Sequence, residues 1–260
     1  MRCLREILNQ FAELQGRDLL RDEFDVRQNI DLPDLSYDIY LCTGGPGSPL
    51  ESKGSEWENN FFSWIKDLLE FNNAEENIVK KQVFFICHSF QLACRYFNVA
   101  EVSKRKSTAF GVFPVHYLTD ASKDVIFTGL TDPFYAVDSR DYQVTQPKHN
   151  KLKNIGGKIL AIEKNRPHIP LERAIMSIRF NENMVGTQFH PEADAIGMSM
   201  YLQRPERKQI VVENHGEEKW KSMIEHLSDP DKIAHTYAHI LPNFLNNAVR
   251  KMEMVEIINK

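Results

Sequence analysis

Apolar positions along this chain alternate between a helical and a strand-like period. Leu4, Ile7, Leu8, Phe11 and Leu14 lie three or four apart, which predicts an opening helix with one apolar face. Phe24-Asp25-Val26 is a short strand candidate, 31–36 a loop, and Tyr37 to Cys42 a strand. Trp57, Phe61, Trp64, Ile65, Leu68 and Leu69 return to helical spacing and predict a long amphipathic helix with its aromatic stripe in the core. Val83-Phe84-Phe85-Ile86 is an unbroken apolar run, as in a strand covered on both faces, and helix-forming residues follow it. Short strands are predicted at Phe110 to Tyr117, Phe134 to Val137, Lys158 to Glu163, Ala174 to Ile178 and from Met184. Helix-strand alternation of this kind is the pattern of an α/β fold, and the closely spaced later strands predict antiparallel additions to its sheet.

Beyond about residue 200 the pattern becomes helical. Arg204 to Lys208 reads as a charged connection and Glu217 to Leu227 as a helix; Asp229-Pro230 opens another, with Ile233, Tyr237, Ile240, Leu241, Phe244, Leu245 and Val249 on its apolar face. Pro242 is expected to kink or split that helix, because proline lacks the N–H that an interior position donates. The stripe fits either a helical cap on the domain or a surface for a second copy or a partner. We therefore expect two parts, residues 1–200 and a helical extension over 201–260.

Composition narrows the function. The chain has 260 residues, enough for one large domain, and a net charge of −4, which gives no general attraction to nucleic acid or anionic membrane. No apolar run approaches transmembrane length, and Arg2, Arg5 and Glu6 make the N-terminus unlike a signal peptide. Four cysteines (Cys3, Cys42, Cys87 and Cys94) are too few for a disulfide framework, so a reducing cytoplasm is the expected home. His235 and His239 lack an acidic third ligand in a zinc-site pattern and read as an exposed pair; no metal spacing stands out.

Three segments carry candidate chemistry. In Ile86-Cys87-His88 a strand runs into a helix through a sharp turn, which lifts the apex side chain out of the sheet edge. The positive end of the helix favours thiolate there, so Cys87 is a candidate nucleophile; a small buried cysteine is the ordinary alternative. Thr43-Gly44-Gly45-Pro46-Gly47-Ser48-Pro49 is a stiff glycine-rich loop after a strand, suited to hold backbone N–H groups toward developing negative charge. No Gly-Lys-Ser/Thr follows it, which disfavours a nucleotide P-loop. Phe189-His190-Pro191-Glu192 follows a third strand, and a turn can bring Glu192 onto one nitrogen of His190 while the other stays free for a thiol.

With these three segments in this order, the sequence resembles the class I glutamine amidotransferases, of the type whose glutaminase domain serves GMP synthase. That family's elbow reads Gly-x-Cys-x-Gly-x-Gln, its histidine segment His-Pro-Glu and its oxyanion loop Gly-Gly-Pro-Gly. The resemblance runs from about Met1 to Gly197. It is full at the loop and at His190-Pro191-Glu192, and at the elbow it holds at Cys87 and Gln91. Phe85 and Ser89 stand where the family has glycines, and Tyr96-Phe97-Asn98 replaces its glycine pair after the elbow helix. Phe85 is bulky and is expected to point away from the neighbouring strand and helix.

The resemblance implies a flavodoxin-like three-layer sandwich with a mostly parallel central sheet. It also implies that the sheet begins with a strand that has no counterpart here, so a native chain starting upstream of Met1 is expected. The implied reaction is hydrolysis of the glutamine amide through a Cys87 thioester, with His190 as base and acid, Glu192 orienting it, and the N–H groups of Gly45 and His88 as oxyanion hole. Gln91 would position substrate, or serve only to build the elbow helix. No metal or organic cofactor is needed. Phe110 to Tyr117 and Asp138 to Tyr142 are expected lining segments. No ATP-binding segment is visible, so a synthetase that uses the ammonia would be a separate subunit. A free-standing γ-glutamyl peptide or amide hydrolase and a catalytically silent module are the alternatives.

Overall fold

Alternate residues of one strand account for the layering. In the computed structural model, which describes residues 2–258 apart from the side chains of 214, 215, 230, 231, 256 and 258, Phe84 and Ile86 face one hydrophobic cluster while Val83 and Phe85 face another. Successive strand side chains point to opposite faces, so a strand apolar at every position must be covered on both sides.

The chain opens with helix α1 (Arg2–Gln15), then strand β1 (Ile39–Cys42), α2 (Glu56–Asn73), β2 (Gln82–Ile86), α3 (His88–Tyr96), β3 (Glu101–Tyr117), β4 (Phe134–Thr145), α4 (His149–Asn154), β5 (Lys158–Glu163), β6 (Ile175–Asn181) and β7 (Met184–Thr187). Four helices complete it: α5 (Ala195–Leu202), α6 (Pro205–His215), α7 (Glu217–Ser228) and α8 (His235–Ile258). The seven strands form one sheet in the order β1-β2-β7-β6-β5-β3-β4. α1 and α8 cover one face through Leu4, Ile7, Phe11, Ile240, Leu241 and Phe244, and α2 and α3 cover the other through Phe61, Trp64, Ile65, Leu68, Phe90 and Leu92. A third cluster joins α5, α6 and α7 to β3 and β4 through Leu202, Val211, Met223, Leu227, Val112 and Val137.

The α/β class, the layers and the antiparallel additions are as the sequence indicates. The parallel part is smaller than the resemblance implies. Only β1-β2 and β2-β7 pair in parallel; the pairings on to β6, β5, β3 and β4 are antiparallel, so the sheet is mixed. The reason lies in the connections: β5 to β6 and β6 to β7 are joined without crossover helices, which return the chain antiparallel.

Some local expectations are corrected. Phe24-Asp25-Val26 forms no strand: Asp25 instead closes a turn, its carbonyl accepting from the N–H of Asn29 and Asp31 and its carboxylate from that of Gln28. β1 is thus an edge of the sheet. The charged run 204–208 is no connection but the start of α6, with Pro205 in its first turn, where a missing N–H costs nothing. Pro242 does not split α8; the irregularity falls earlier, at Lys232 in Pro230–Ala234, with φ −105° and ψ −111°. His235 and His239 are half-buried rather than exposed, their rings 4.3 Å apart and His235 Nε2 2.9 Å from the Gly129 carbonyl.

Phe85 does not point away from its surroundings. It packs edge-on against Phe180 at 5.8 Å in the cluster that also holds Phe90 of α3. Its room comes from the paired strand, where Phe85 stands opposite Gly186: a Cβ on that glycine would lie 3.0 Å from the Phe85 Cβ and 2.9 Å from its carbonyl oxygen. The bulk missing on one strand is supplied by the other.

Candidate active site

Three strand ends meet at one edge of the sheet. β1 runs out into the glycine loop, β2 into the elbow, and β7 into Gln188-Phe189-His190. Parallel strands present their C-terminal ends together, which is why these segments, far apart in sequence, converge. A cleft of about 490 Å³ opens there, lined by Gly44, Gly45, Cys87, His88, Ser139 and His190, among others.

The elbow is held in an unfavourable conformation. Cys87 has φ 52° and ψ −98°, outside the broad regions open to a residue with a Cβ. Its N–H donates to the Thr187 carbonyl at 2.8 Å, pinning the turn to β7. Ser89 contributes what glycine could not: its hydroxyl accepts from the Ile86 N–H at 2.8 Å and donates to the Cys42 carbonyl at 2.6 Å, tying the elbow to β1. Helix α3 begins at His88, and its first N–H groups have no partner within the helix.

His190 is positioned by backbone and side chain. Its N–H donates to the Val137 carbonyl of β4 at 2.9 Å, and its Nδ1 lies 2.8 Å from Glu192 Oε1. That contact leaves Nε2 for the sulfur. Burial by itself would depress the imidazole pKa, but hydrogen bonds to Cys87 and Glu192 and their negative charge hold it well above the ordinary histidine value. The site thus favours a charged imidazole beside the thiol. Gly44 keeps the space between them: a Cβ there would lie 3.0 Å from His190 Cε1 and 3.3 Å from the Cys87 Cβ.

Gly45 and His88 line the same cleft. Arg27 braces the loop from outside, bonded to the Pro46 carbonyl and 5.3 Å from the centre of the Trp57 ring. Gln91 is 3 % exposed, and its amide nitrogen donates to Gln188 Oε1 at 3.0 Å and to the Tyr142 carbonyl at 3.4 Å. Of the expected lining segments, Ser139 to Tyr142 borders the cleft, whereas 110–117 does not; Thr108 stands in that wall instead, donating to Asp141 at 2.5 Å. Thr108 lies in the bulge between Lys104 and Ala109, where β3 breaks register with β4.

Ser139, within the expected lining segment 138–142, and Gln188, which escaped the sequence reading, both touch the Cys87 sulfur. A signal existed for Gln188. It precedes His190 by two, and alternate residues in extended chain share a face.

Among the described residues Cys3, Glu6 and Asp194 lie close enough to share an ion. Arg2 already pairs with both carboxylates, so a cation stands there without one.

The model of the class I glutamine amidotransferases matches residues 4–203. The chain belongs to that family. No curated protein sequence matches it significantly. Similar solved structures include a glutamine amidotransferase from Thermotoga maritima, at TM-score 0.66 and 15 % identity over 94 % of this chain and 91 % of that one. A glutamine amidotransferase from Methylobacillus flagellatus superposes at 0.57 and 14 % identity, covering 91 % and 88 %. The glutaminase domain of Trypanosoma brucei CTPS with bound acivicin gives 0.52 and 13 % identity, covering 73 % and 79 %. These likenesses show a shared amidotransferase fold. No helix among the described residues is long and apolar enough to cross a membrane.

His88, beside the elbow cysteine, is buried against Trp57, its Nε2 has no partner, and burial together with the nearby Arg27 charge lowers its pKa to about 4. An unfolded histidine titrates near about 6.5. Between those values the unfolded chain binds a proton that the folded chain refuses. His88 therefore leaves stability intact above about pH 6.5 and removes it as pH falls toward 4, by up to about 3 kcal/mol at 1.36 kcal/mol per pKa unit. Urea unfolding of wild type and His88→Gln should give curves that are parallel above pH 6.5 and converge or cross below it. Curves parallel down to pH 4 would show that His88 takes up its proton in the folded chain as readily as in the unfolded one.

Proposed function

We propose that this amidotransferase hydrolyses the side-chain amide of glutamine to glutamate and ammonia, and that a separate synthetase consumes the ammonia. The observation that carries the reading is the meeting, at a strained strand-to-helix turn, of the Cys87 sulfur with an imidazole whose other nitrogen is bonded to a carboxylate at 2.8 Å. Cys87, His190 and Glu192 then act as nucleophile, acid-base and orienting group.

The Cys87 thiolate attacks the amide carbon; a C–S bond forms and the carbonyl electron pair moves onto oxygen. The N–H groups of Gly45 and His88 donate to that oxygen. His190 gives its Nε2 proton to the amide nitrogen as the C–N bond breaks and ammonia leaves. Water then attacks the γ-glutamyl thioester, giving its proton to His190. The C–S bond breaks, glutamate departs, and thiolate and imidazolium are restored. Each step is an acyl or proton transfer, so these side chains suffice.

The test is glutamate release by the purified full chain with glutamine and a panel of small γ-glutamyl amides and peptides, beside mass spectrometry of acid-quenched protein. Turnover of glutamine with a γ-glutamyl group on the Cys87 peptide is expected. Preference for a γ-glutamyl peptide would replace the reading with that of a free-standing hydrolase. No turnover, and no faster labelling of Cys87 by a glutamine-like chloroketone than of a simple thiol, would sink it in favour of a silent module.

A further inference from the structure

Two buried amides stand behind the nucleophile in a fixed order. Gln188 is 0 % exposed, and its Nε2 lies 3.7 Å from the Cys87 sulfur, a hydrogen-bond distance for so large an acceptor. Its Oε1 accepts from Gln91 Nε2 at 3.0 Å, and that same nitrogen reaches the Tyr142 carbonyl. The direction of the chain follows from donors and acceptors alone. A backbone carbonyl can only accept, so the Gln91 atom facing Tyr142 is its NH₂. That NH₂ needs an acceptor from Gln188, so Gln188 offers oxygen to Gln91 and turns its own NH₂ to the sulfur. Besides His190, the sulfur also meets the Ser139 carbonyl at 3.9 Å, an acceptor, which favours the protonated thiol. Gln188 is the opposing influence, since a donor is worth more to an anion than to a neutral sulfur.

We propose that Gln188 is a catalytic residue of this site, its amide N–H donating to the Cys87 sulfur to stabilise and aim the thiolate, with Gln91 as the positioning residue that fixes the direction of that amide. This gives Gln91, which also lines the cleft, a task at the nucleophile through its amide nitrogen. It rests on the reading of Cys87 as the reacting group. The titratable and charged groups around the sulfur are His190, backed by Glu192, just beyond β7, His88 on α3, and Arg140, Asp141 and Tyr142 across the cleft on β4; the variants below leave all of them in place.

The experiment is the pH dependence of iodoacetamide alkylation at Cys87, followed by mass spectrometry on the full chain, because only thiolate reacts. Gln188→Met keeps the bulk and removes the donor. Its rate at pH 6 should fall about tenfold below wild type, while the limiting rate at high pH changes less than twofold. Gln188→Glu, which places an acceptor there, should shift the profile further, and Gln91→Met in the same direction by less. Superposed profiles for wild type and folded Gln188→Met would overturn the proposal, because a packing role alone does not move a titration. If Gln188→Met does not fold, Gln91→Met decides, and an unmoved profile overturns the proposal equally. Alkylation needs no glutamine, so a shifted profile in a chain that releases no glutamate would leave this inference standing and remove the proposed reaction.

Discussion

Cys87→Ala is expected to lower glutamate release by a factor on the order of 10⁴ or more while leaving the fold intact. The size follows from what remains: without a nucleophile, binding and oxyanion donors alone give on the order of 10³–10⁴ over water, against a far larger total. Alanine keeps the Cβ and removes one buried atom, so stability should change by less than about 1.5 kcal/mol, within the range of small core changes. A second variant separates chemistry from strain. At φ 52° a side chain crowds the backbone, at roughly 1–3 kcal/mol. Cys87→Gly relieves that crowding and loses roughly 0.5–1 kcal/mol to added chain freedom. Cys87→Gly should therefore unfold at higher denaturant than Cys87→Ala, by about 1 kcal/mol, with both inactive. Glutamate release and urea midpoints measured together check this. An alanine variant that still turns over at a tenth of the wild-type rate would assign the chemistry elsewhere.

What the sequence disclosed follows from the range of the physics involved. Strand β2 and helix α2 were legible because burial acts residue by residue and leaves a period. The short approach from His190 to Glu192 was legible because two residues and a proline turn leave few geometries. Long-range complementarity was not. Nothing near Phe85 shows that Gly186, about a hundred residues on, makes its room, and nothing in Arg204 to Lys208 distinguishes a solvated helix start from a linker. That the later strands run antiparallel was legible, because their close spacing leaves no room for crossover helices, but which strands pair, and so how short the parallel part is, was not. Gln188 sat within a segment whose chemistry had already been given to His190, and its contact with Cys87 spans the same sequence distance.

Arg95→Met is expected to destabilise the fold by about 3–5 kcal/mol at pH 7, the usual result of stripping one partner from a buried ion pair. Arg95 of α3 grips Glu58 of α2 through two nitrogens, at 2.6 and 3.0 Å, and also bonds the Pro49 carbonyl beyond the glycine loop. Glu58 is 2 % exposed, and among the described residues its further side-chain partner is Ser52, at 2.5 Å. Burial by itself would raise the Glu58 pKa, but Arg95 and Ser52 hold it below the ordinary value, so the ion pair stabilises above about pH 4.3 and fades as acid protonates Glu58. In Arg95→Met the sign reverses: burial then dominates, the carboxyl pKa rises, and the loss is greatest at neutral pH and shrinks on acidification. The double variant Glu58→Met with Arg95→Met should recover most of the stability, because an apolar pair of similar bulk replaces both charges. It should not recover full glutamine turnover, since the bond to Pro49 that steadies the loop beside Cys87 is gone. Urea unfolding at pH 5 and pH 7 on the single and double variants, with glutamate release beside it, checks both parts. A single variant within 1 kcal/mol of wild type would show that water or another group reaches Glu58, and full turnover in the double variant would show that the loop keeps its shape without Arg95.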